Sequence, residues 1–161
     1  MAQDGRVVSI HVAEEEGGAL SSLDVAELIE GQGIVGDRYR RTDAGDDDAQ
    51  VSLVETELIE RLADSLGYPL RAGDTRRNIV TRGIKLNDLV GVHFTVGDVQ
   101  LVGTELAEPC GYLARRLIGQ FDMRDVEPRA IVKGLTHGAG LYARILRGGS
   151  IRPGDGIRTV S

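Results

Sequence analysis

Short apolar segments that end at glycine-containing turns run through most of this sequence. Glycine occupies 22 of the 161 positions, about twice its average usage, which is typical of chains with many turns and close backbone contacts. The alternation of apolar and polar residues between these turns predicts about eight short strands. In the first of them, Val8, Ile10 and Val12 are expected to share one face. The predicted strands include residues 6–12, 51–54 and 78–81, two strands of a hairpin over 90–104, and residues 129–133, 141–147 and 151–159.

Only two segments have the apolar spacing of a helix. The first extends from Glu55 to Leu66, and the second from Pro109 to Gly119, where Leu113 and Leu117 would share one face. Because two helices cannot separate eight strands into βαβ units, the pattern disfavours a doubly wound sheet. It favours a mainly β fold, a small β-barrel with about two peripheral helices.

The composition narrows the class of protein. A hydrophobic content of 41% and a charged content of 27% are ordinary for a soluble globular protein, and residues 1–161 are expected to form one domain. A net charge of −6 without any Lys/Arg-rich run disfavours nucleic-acid binding. The sequence shows no signal-peptide core and no membrane-spanning apolar run. The single cysteine excludes an internal disulfide, so we expect a cytoplasmic protein whose thiol stays reduced.

That cysteine, Cys110, occupies a position that favours the thiolate. Pro109 suits the first position of a helix, because it has no N–H to lose there. Cys110 would then lie in the first helical turn, where free N–H groups and the helix dipole stabilise a negative charge. The alternative is a small buried hydrophobic residue, which a lone cysteine often is.

Two loop segments carry charged residues. Residues 31–38 are rich in glycine and end in Asp37 and Arg38, but the segment lacks the Lys-Ser/Thr pair of a phosphate-binding loop. A local ion pair between the two is the structural alternative to a place in a binding site. Asp46–Asp48 lies in a charged insertion and lacks the alternating spacing of a calcium loop, so we expect it to be solvated.

Arg76 and Arg77 precede a predicted strand that starts at Asn78. Adjacent side chains in a strand point to opposite faces, so at most one of the arginines is expected to face a given pocket. A guanidinium can donate two parallel hydrogen bonds to phosphate or pterin oxygens, although two solvated surface arginines are an equal alternative. His93 and His137 form no metal-ligating cluster with the single cysteine, and their roles stay open.

Several of these segments match, in order, the blocks of a known family. Its hallmark is a cysteine that follows a strand, often as Pro-Cys, and Glu108-Pro109-Cys110 matches it. The other matching blocks are Gly36-Asp37-Arg38, Val51-Ser52-Leu53, Arg76-Arg77-Asn78-Ile79-Val80, Gly138-Ala139-Gly140-Leu141-Tyr142-Ala143 and Gly148-Gly149-Ser150-Ile151. On these residues the chain resembles a stand-alone MOSC domain, the module named from the C-terminal part of molybdenum cofactor sulfurase.

The resemblance implies a β-rich, barrel-like fold and a role for Cys110 as a sulfur carrier or as a molybdenum ligand. It also implies that Arg77, Asn78, Arg38 and Asp37 bind the molybdenum cofactor, molybdopterin. Thiolate sulfur is a soft donor that suits molybdenum. The expected partners are a sulfur donor or a molybdoenzyme.

Two alternatives to a carrier stay open. Some MOSC relatives use a cysteine-ligated molybdenum cofactor to reduce N-hydroxylated compounds, generally with an additional domain; a non-catalytic interaction module with an inert cysteine is the other alternative. Whether the protein is an enzyme is therefore open between a sulfurtransferase-like carrier and an oxidoreductase component. The founding sulfurase also contains a pyridoxal-phosphate-dependent domain. With only two lysines, Lys85 and Lys133, and no length for that domain, this chain is not expected to bind pyridoxal phosphate.

Overall fold

A computed structural model describes residues 4–15, 18–38, 48–107, 111–135 and 140–160. The strands are β1 (Asp4–Ala13), β2 (Leu20–Ser22), β3 (Ala26–Ile29), β4 (Gly33–Ile34), β5 (Val51–Glu55), β6 (Ile79–Arg82), β7 (His93–Val96), β8 (Val99–Leu106), β9 (Leu141–Arg147), β10 (Gly149–Ile151) and β11 (Gly156–Thr159). The α-helices are α1 (Thr56–Leu66), α2 (Gly111–Phe121) and α3 (Pro128–Leu135).

Seven strands form a closed barrel. Their order around it is β1, β11, β7, β8, β9, β5 and β6, and β6 pairs again with β1. β5 and β6 run parallel, whereas the other pairs around the barrel are antiparallel. β2 pairs with the last residues of β1, and β3, β4 and β10 form a small separate sheet. The predicted mainly β, barrel-like fold is confirmed.

α1 lies in the connection between the two parallel strands, since a parallel pair cannot be joined by a tight hairpin. Its buried side chains are Leu58, Ile59 and Leu62, which have the apolar spacing of a helix. Gly67 ends the helix in a left-handed conformation with φ of 76°, and its N–H donates to the carbonyl of Ala63 at 2.8 Å. Glycine adopts this conformation without the steric cost of a side chain.

The barrel has an inner core and an outer core. Aliphatic side chains and Phe94 fill the interior. On the outside, Val54 of β5 and Val80 of β6 are fully buried in a second cluster, which includes Leu117 of α2 and Ile131 of α3. The three helices therefore cover one outer face of the barrel.

The predicted face of the first strand is partly wrong. Val7 is 1% exposed and Val8 is 36% exposed, whereas Ile10 and Val12 are buried as expected. The register between β1 and β6 shifts between Val7 and Ser9. Such an irregularity changes which side chains point inward, so strict alternation fails across it.

The predicted strand over residues 129–133 is also wrong, because these residues belong to α3. Pro128 is the first residue of that helix, a position that proline favours. Ile131 and Leu135 are buried four residues apart, which is helical spacing. A short apolar run fits either period, and packing against the barrel selects the helix here.

The predicted second helix is confirmed in its described part, α2, where Leu113 and Leu117 are buried on one face. It continues past Gly119, the predicted end, and stops at Asp122, which has φ of 50°. No helix in the described part of the chain has the length and hydropathy needed to span a bilayer.

Candidate functional site

Polar side chains replace apolar ones on the outer face of the barrel, two residues before the buried valines of β5 and β6. Because side chains alternate along a strand, Ser52 and Asn78 point to the same side as those valines. Tyr142 of β9 is paired directly with Ser52, and directly paired residues share a face of the sheet. Asp37 and Arg77 contact these residues. We call these five residues the outer-face cluster.

Asn78 is the centre of this cluster and is only 9% exposed. Its side-chain oxygen accepts hydrogen bonds from the N–H of Ser52 at 3.0 Å and from the Ser52 hydroxyl at 3.1 Å. Its amide nitrogen donates to the carbonyl of His11 at 3.1 Å and to Asp37 Oδ2 at 3.4 Å. A carboxamide has two donor hydrogens and an oxygen with two lone pairs. The donors and acceptors of the Asn78 side chain are therefore all used within the protein.

Asp37 is also buried, and it joins the turn before it to β1. Its Oδ1 accepts a hydrogen bond from the backbone N–H of Ala13 at 3.1 Å. The N–H of Arg38 donates to the carbonyl of Ala13 at 2.7 Å, and the Arg38 side chain is exposed. The predicted site residues Asp37 and Asn78 are thus in contact, whereas Arg38 is held beside them through its backbone.

Arg77 lies against Tyr142. Its Nη1 donates to the Tyr142 hydroxyl at 3.3 Å, and its guanidinium carbon is 5.5 Å from the centre of the tyrosine ring. The neighbouring Arg76 donates instead to the carbonyl of Gly18 at 2.8 Å. The two arginines diverge as predicted, but Arg76 does so from a left-handed conformation with φ of 63° and not from a strand.

Gly140 connects Arg77 to the chain that leads toward Cys110. The carbonyl of Gly140 accepts a hydrogen bond from the N–H of Ala107 at 2.8 Å. A Cβ placed on Gly140 would lie 2.3 Å from the carbonyl oxygen of Leu53 and 3.5 Å from Arg77 Nε. Only glycine fits this close approach.

Cys110 and Pro109 lie outside the described residues. The described chain ends at Ala107 after β8 and resumes at Gly111, the first residue of α2. Ala107 is adjacent to Gly140, and α2 packs on the outer face through Leu113 and Leu117. Cys110 therefore belongs to the short connection between these two elements, while its own position stays a prediction.

The described residues contain no group of three or more histidine, cysteine or acidic side chains that could hold a metal ion. His93 begins β7 and is exposed. Asp46, Asp47 and His137 lie outside the described part of the chain. Asp48 contributes its backbone carbonyl, which accepts a hydrogen bond from the Thr104 hydroxyl at 2.6 Å.

His11 is a buried polar residue that sequence reasoning missed. Its imidazole lies within hydrogen-bonding distance of the Ser9 hydroxyl, 2.9 Å from Nε2, and of the Ser22 hydroxyl, 3.4 Å from Nδ1. Burial lowers the pKa of His11, and the nearby Asp74 carboxylate opposes that shift. A Cβ on Gly73 would lie 3.2 Å from the His11 Nδ1 atom, so the imidazole supports the turn that precedes Arg76 and Arg77.

Ser52 and Tyr142 were part of matching sequence blocks, but nothing in the sequence indicated their contacts. Ser52 is bonded to Asn78, which is 26 residues away, and Tyr142 is bonded to Arg77, which is 65 residues away. Only the pairing of β5 with β6 and β9 brings them together. A polar residue in an otherwise apolar strand, such as Ser52 in Val51–Glu55, is the one local signal that could have marked this face.

The comparisons with known proteins agree with this architecture. Residues 40–158 match the model of the MOSC domain family. The YUAD protein from Bacillus subtilis has a similar structure, with a TM-score of 0.87 and 18% identity, over 99% of this chain and 97% of that one. YiiM from Geobacillus stearothermophilus aligns with a TM-score of 0.69 and 22% identity, over 98% of this chain and 75% of that one.

YiiM from Escherichia coli aligns over 100% of this chain and 70% of its own, with a TM-score of 0.66 and 18% identity. At these identities the structural similarities show the fold alone. No curated protein matches the sequence. The family match, which extends over most of the chain and includes every strand from β5 to β10, decides the classification: the chain belongs to the MOSC domain family.

Proposed function

We propose that this protein is a cytoplasmic MOSC-type carrier in which Cys110 holds sulfur as a persulfide or ligates molybdenum through its thiolate. Arg77 binds the anionic end of the cargo, and Arg38 contributes a second, exposed cation. A sulfur donor or a molybdoenzyme is the partner. The proposal follows from the family match and from the chemistry of the residues around the start of α2.

One observation carries the proposal: the chain that leads to Cys110 runs beside Arg77. Ala107 is hydrogen-bonded to Gly140, and Arg77 Nε would be 3.5 Å from a Cβ at Gly140. Cys110 follows Ala107 by three residues, which is about 10 Å of fully extended chain. A cation within this reach favours a thiolate over a thiol and attracts anionic groups.

The proposed cargo at Cys110 is a preassembled molybdenum cofactor, which brings the other ligands of its metal with it. Within the described part of the chain, no cluster of three metal-ligating side chains is present. Cys110 would supply one soft sulfur donor, and Arg77 would bind a phosphate or pterin oxygen.

Sulfur transfer to Cys110 needs no oxidant. The Cys110 thiolate attacks the terminal sulfur of a donor persulfide, a new S–S bond forms at Cys110, and the donor S–S bond breaks to release the donor thiolate. Passing the sulfur to an acceptor thiolate repeats the same exchange. The oxidation state of the sulfur pair is unchanged overall, so a persulfide donor is the only co-reactant.

The test compares wild-type protein with Cys110→Ala after expression in a molybdenum-sufficient host. Metal and pterin are quantified, and the thiol is loaded with a small-molecule persulfide, trapped with an alkylating probe and weighed by mass spectrometry. Stoichiometric molybdenum that is lost in Cys110→Ala supports ligation and makes reduction of N-hydroxylated compounds the next assay. A trapped adduct with one additional sulfur supports the carrier. An unmodified thiol without metal overturns both and leaves an interaction module.

Arg77→Ala is the second variant, and Arg158→Ala is its control, because Arg158 is an exposed arginine on β11. We expect Arg77→Ala to slow loading of Cys110 by about tenfold, the effect of losing one charge-assisted hydrogen bond of 1.5 kcal/mol or slightly less. Arg158→Ala should load at the wild-type rate. Equal rates for the two variants would contradict a role for Arg77.

A further inference from the structure

We propose that Tyr142 and Asn78 are positioning residues for Arg77, and that Asn78 and Asp37 do not themselves contact the cargo. This inference rests on the proposed function in one respect, which is that Arg77 is the residue that binds the anion. It assigns a role to Tyr142, and it divides the polar residues of the outer-face cluster into one that binds the anion and others that position it.

Asn78 fixes the backbone next to Arg77. Its four side-chain hydrogen bonds reach Ser52 on β5, His11 on β1 and Asp37 in the turn after β4. The N–H of Asn78 also donates to the Ser52 hydroxyl at 3.0 Å. Reversing the amide would place its nitrogen against the Ser52 N–H, so the network determines a single orientation.

The donors and acceptors of the Asn78 side chain are already used within the protein, so the side chain has none free for a ligand. Any hydrogen bond from Asn78 to a cargo molecule would replace one that the protein already makes in a buried site. Breaking a buried hydrogen bond costs more than an exposed contact returns. Asn78 therefore acts on the cargo through Arg77, the residue that precedes it in the chain.

Tyr142 fixes the other end of Arg77, the guanidinium. Its hydroxyl accepts the hydrogen bond from Nη1, and the guanidinium carbon lies over its ring, 5.5 Å from the ring centre. Tyr142 is itself anchored on both sides, since it pairs with Ser52 of β5 and with Glu105 of β8. Its carbonyl also accepts a hydrogen bond from the Thr104 hydroxyl at 3.1 Å.

The two contacts hold Arg77 at its backbone and at its tip. A long, flexible side chain loses rotamer entropy when it binds a ligand, and holding it beforehand removes that cost from binding. The planar guanidinium then presents a fixed pair of donors, the arrangement that matches a phosphate or a carboxylate. The class of cargo this geometry selects is an oxyanion with two oxygens on one side.

The experiment measures how fast an arginine-directed dicarbonyl reagent modifies Arg77, by peptide mass spectrometry, relative to the exposed Arg115 of α2 in the same molecule. Tyr142→Phe keeps the ring and removes the hydroxyl, and Tyr68→Phe is its control, because the Tyr68 hydroxyl bonds to Asp125 near the helices. Asn78→Ala is matched by Thr81→Val, which removes a buried hydrogen bond from Thr81 of β6 to the carbonyl of Val54 of β5. Ser52→Ala is a milder change, because it removes only the hydrogen bonds between the Ser52 hydroxyl and Asn78.

We expect Tyr142→Phe and Asn78→Ala to raise the relative modification rate of Arg77 by about fivefold, the factor that corresponds to one ordinary hydrogen bond. Tyr68→Phe and Thr81→Val should leave that ratio unchanged, although Thr81→Val lowers the melting temperature. Should Asn78→Ala not fold, Ser52→Ala and Tyr142→Phe decide the question alone. Unchanged ratios in both of these variants would overturn the inference.

A second arm adds inorganic phosphate as the probe. Phosphate should slow the modification of Arg77 in wild type, and Tyr142→Phe should need a several-fold higher phosphate concentration for the same protection. If the variants speed up modification but phosphate never protects wild type, the positioning role stands and the oxyanion role of Arg77 in the proposed function fails. The two failures are therefore distinguishable.

Discussion

Gly140 is the residue that lets β5, β9 and the Arg77 side chain approach one another. It has φ of 128°, and a Cβ there would lie 2.3 Å from the carbonyl oxygen of Leu53. Both the backbone conformation and the contact exclude a side chain. A single glycine thus decides whether the outer-face cluster can form.

Gly140→Ala should lower the free energy of unfolding by about 2–4 kcal/mol, because the strained φ and the backbone clash must both be relieved by movement of β9. Urea denaturation measures this change. The movement should also displace Arg77, whose Nε would contact the new methyl group, so its relative modification rate should rise.

Gly119→Ala is the matched control for that variant. Gly119 lies in α2, and a Cβ there meets no atom within 4 Å. Alanine in a helix is favoured over glycine by about 0.5–1 kcal/mol, so this variant should be slightly more stable than wild type. If Gly140→Ala were as stable as Gly119→Ala, this result would contradict the close approach between Gly140 and the Leu53 carbonyl oxygen.

At the scale of elements, β1 carries a buried group that packs against the turn before Arg77. The His11 imidazole on β1 packs against the 72–75 turn through Gly73 and is bonded to Ser9 and Ser22. Its pKa is lowered from the ordinary value of 6.5, with burial as the first cause. Charging this group therefore opposes folding.

The sign of the pH effect follows from this lowered pKa. Well above pH 6.5 the imidazole is neutral in both states, and the stability it contributes is fully present. As the pH falls below 6.5, the unfolded chain binds a proton more readily than the folded protein does, so stability is lost until the folded pKa is passed. Glu55, whose pKa burial raises from 4.5, acts in the opposite direction, because its contribution grows as the pH falls toward 4.5.

We expect His11→Gln to flatten the loss of stability between pH 7 and pH 5. The comparison is the difference in unfolding free energy between variant and wild type at each pH, which cancels the contribution of Glu55. His93→Gln, the same substitution at an exposed histidine on β7, is measured beside it as the matched variant. A His11→Gln profile parallel to that of wild type would show that His11 does not titrate against folding.

At the scale of the whole molecule, local sequence patterns predict the elements whose contacts are close together in the chain. The β7–β8 hairpin follows from alternation and the Gly97–Asp98 turn, and α1 follows from its apolar stripe. Residues 129–133 are wrongly predicted as a strand, because their short apolar run, Ala130 to Val132, fits both periods. The contacts of Asn78 with His11 and Asp37, 67 and 41 residues away, depend on the closed barrel and leave no mark in local sequence.

The candidate site was predictable to the same extent. Asp37, Arg77 and Asn78 were selected by their place in family-like blocks, and the structure brings all three into the outer-face cluster. Their division into binding and positioning residues could not be predicted, because it depends on how many hydrogen bonds each side chain makes. The role of Cys110 stays a prediction that the loading experiment tests.

The barrel closes at β11, and this closure gives the last prediction. Ile157 of β11 is fully buried in the barrel interior and lies between Gly5 of β1 and Val96 of β7. Ile157→Ala should cost about 2–5 kcal/mol through lost burial and the cavity it leaves. Val160→Ala, a change at a residue that is 52% exposed, should cost almost nothing.

The response of the helices to Ile157→Ala tests whether the two cores form one cooperative unit. The outer core is built on Val54 and Val80, which belong to barrel strands, so opening the barrel removes the surface on which the helices pack. Thermal unfolding followed by far-ultraviolet circular dichroism, which reports the helices, and by amide hydrogen exchange in β7 and β11, which reports the barrel, should therefore shift together. A helical transition that kept its wild-type midpoint while the β7 and β11 amides lost protection would show that the helical layer folds independently of the closed barrel.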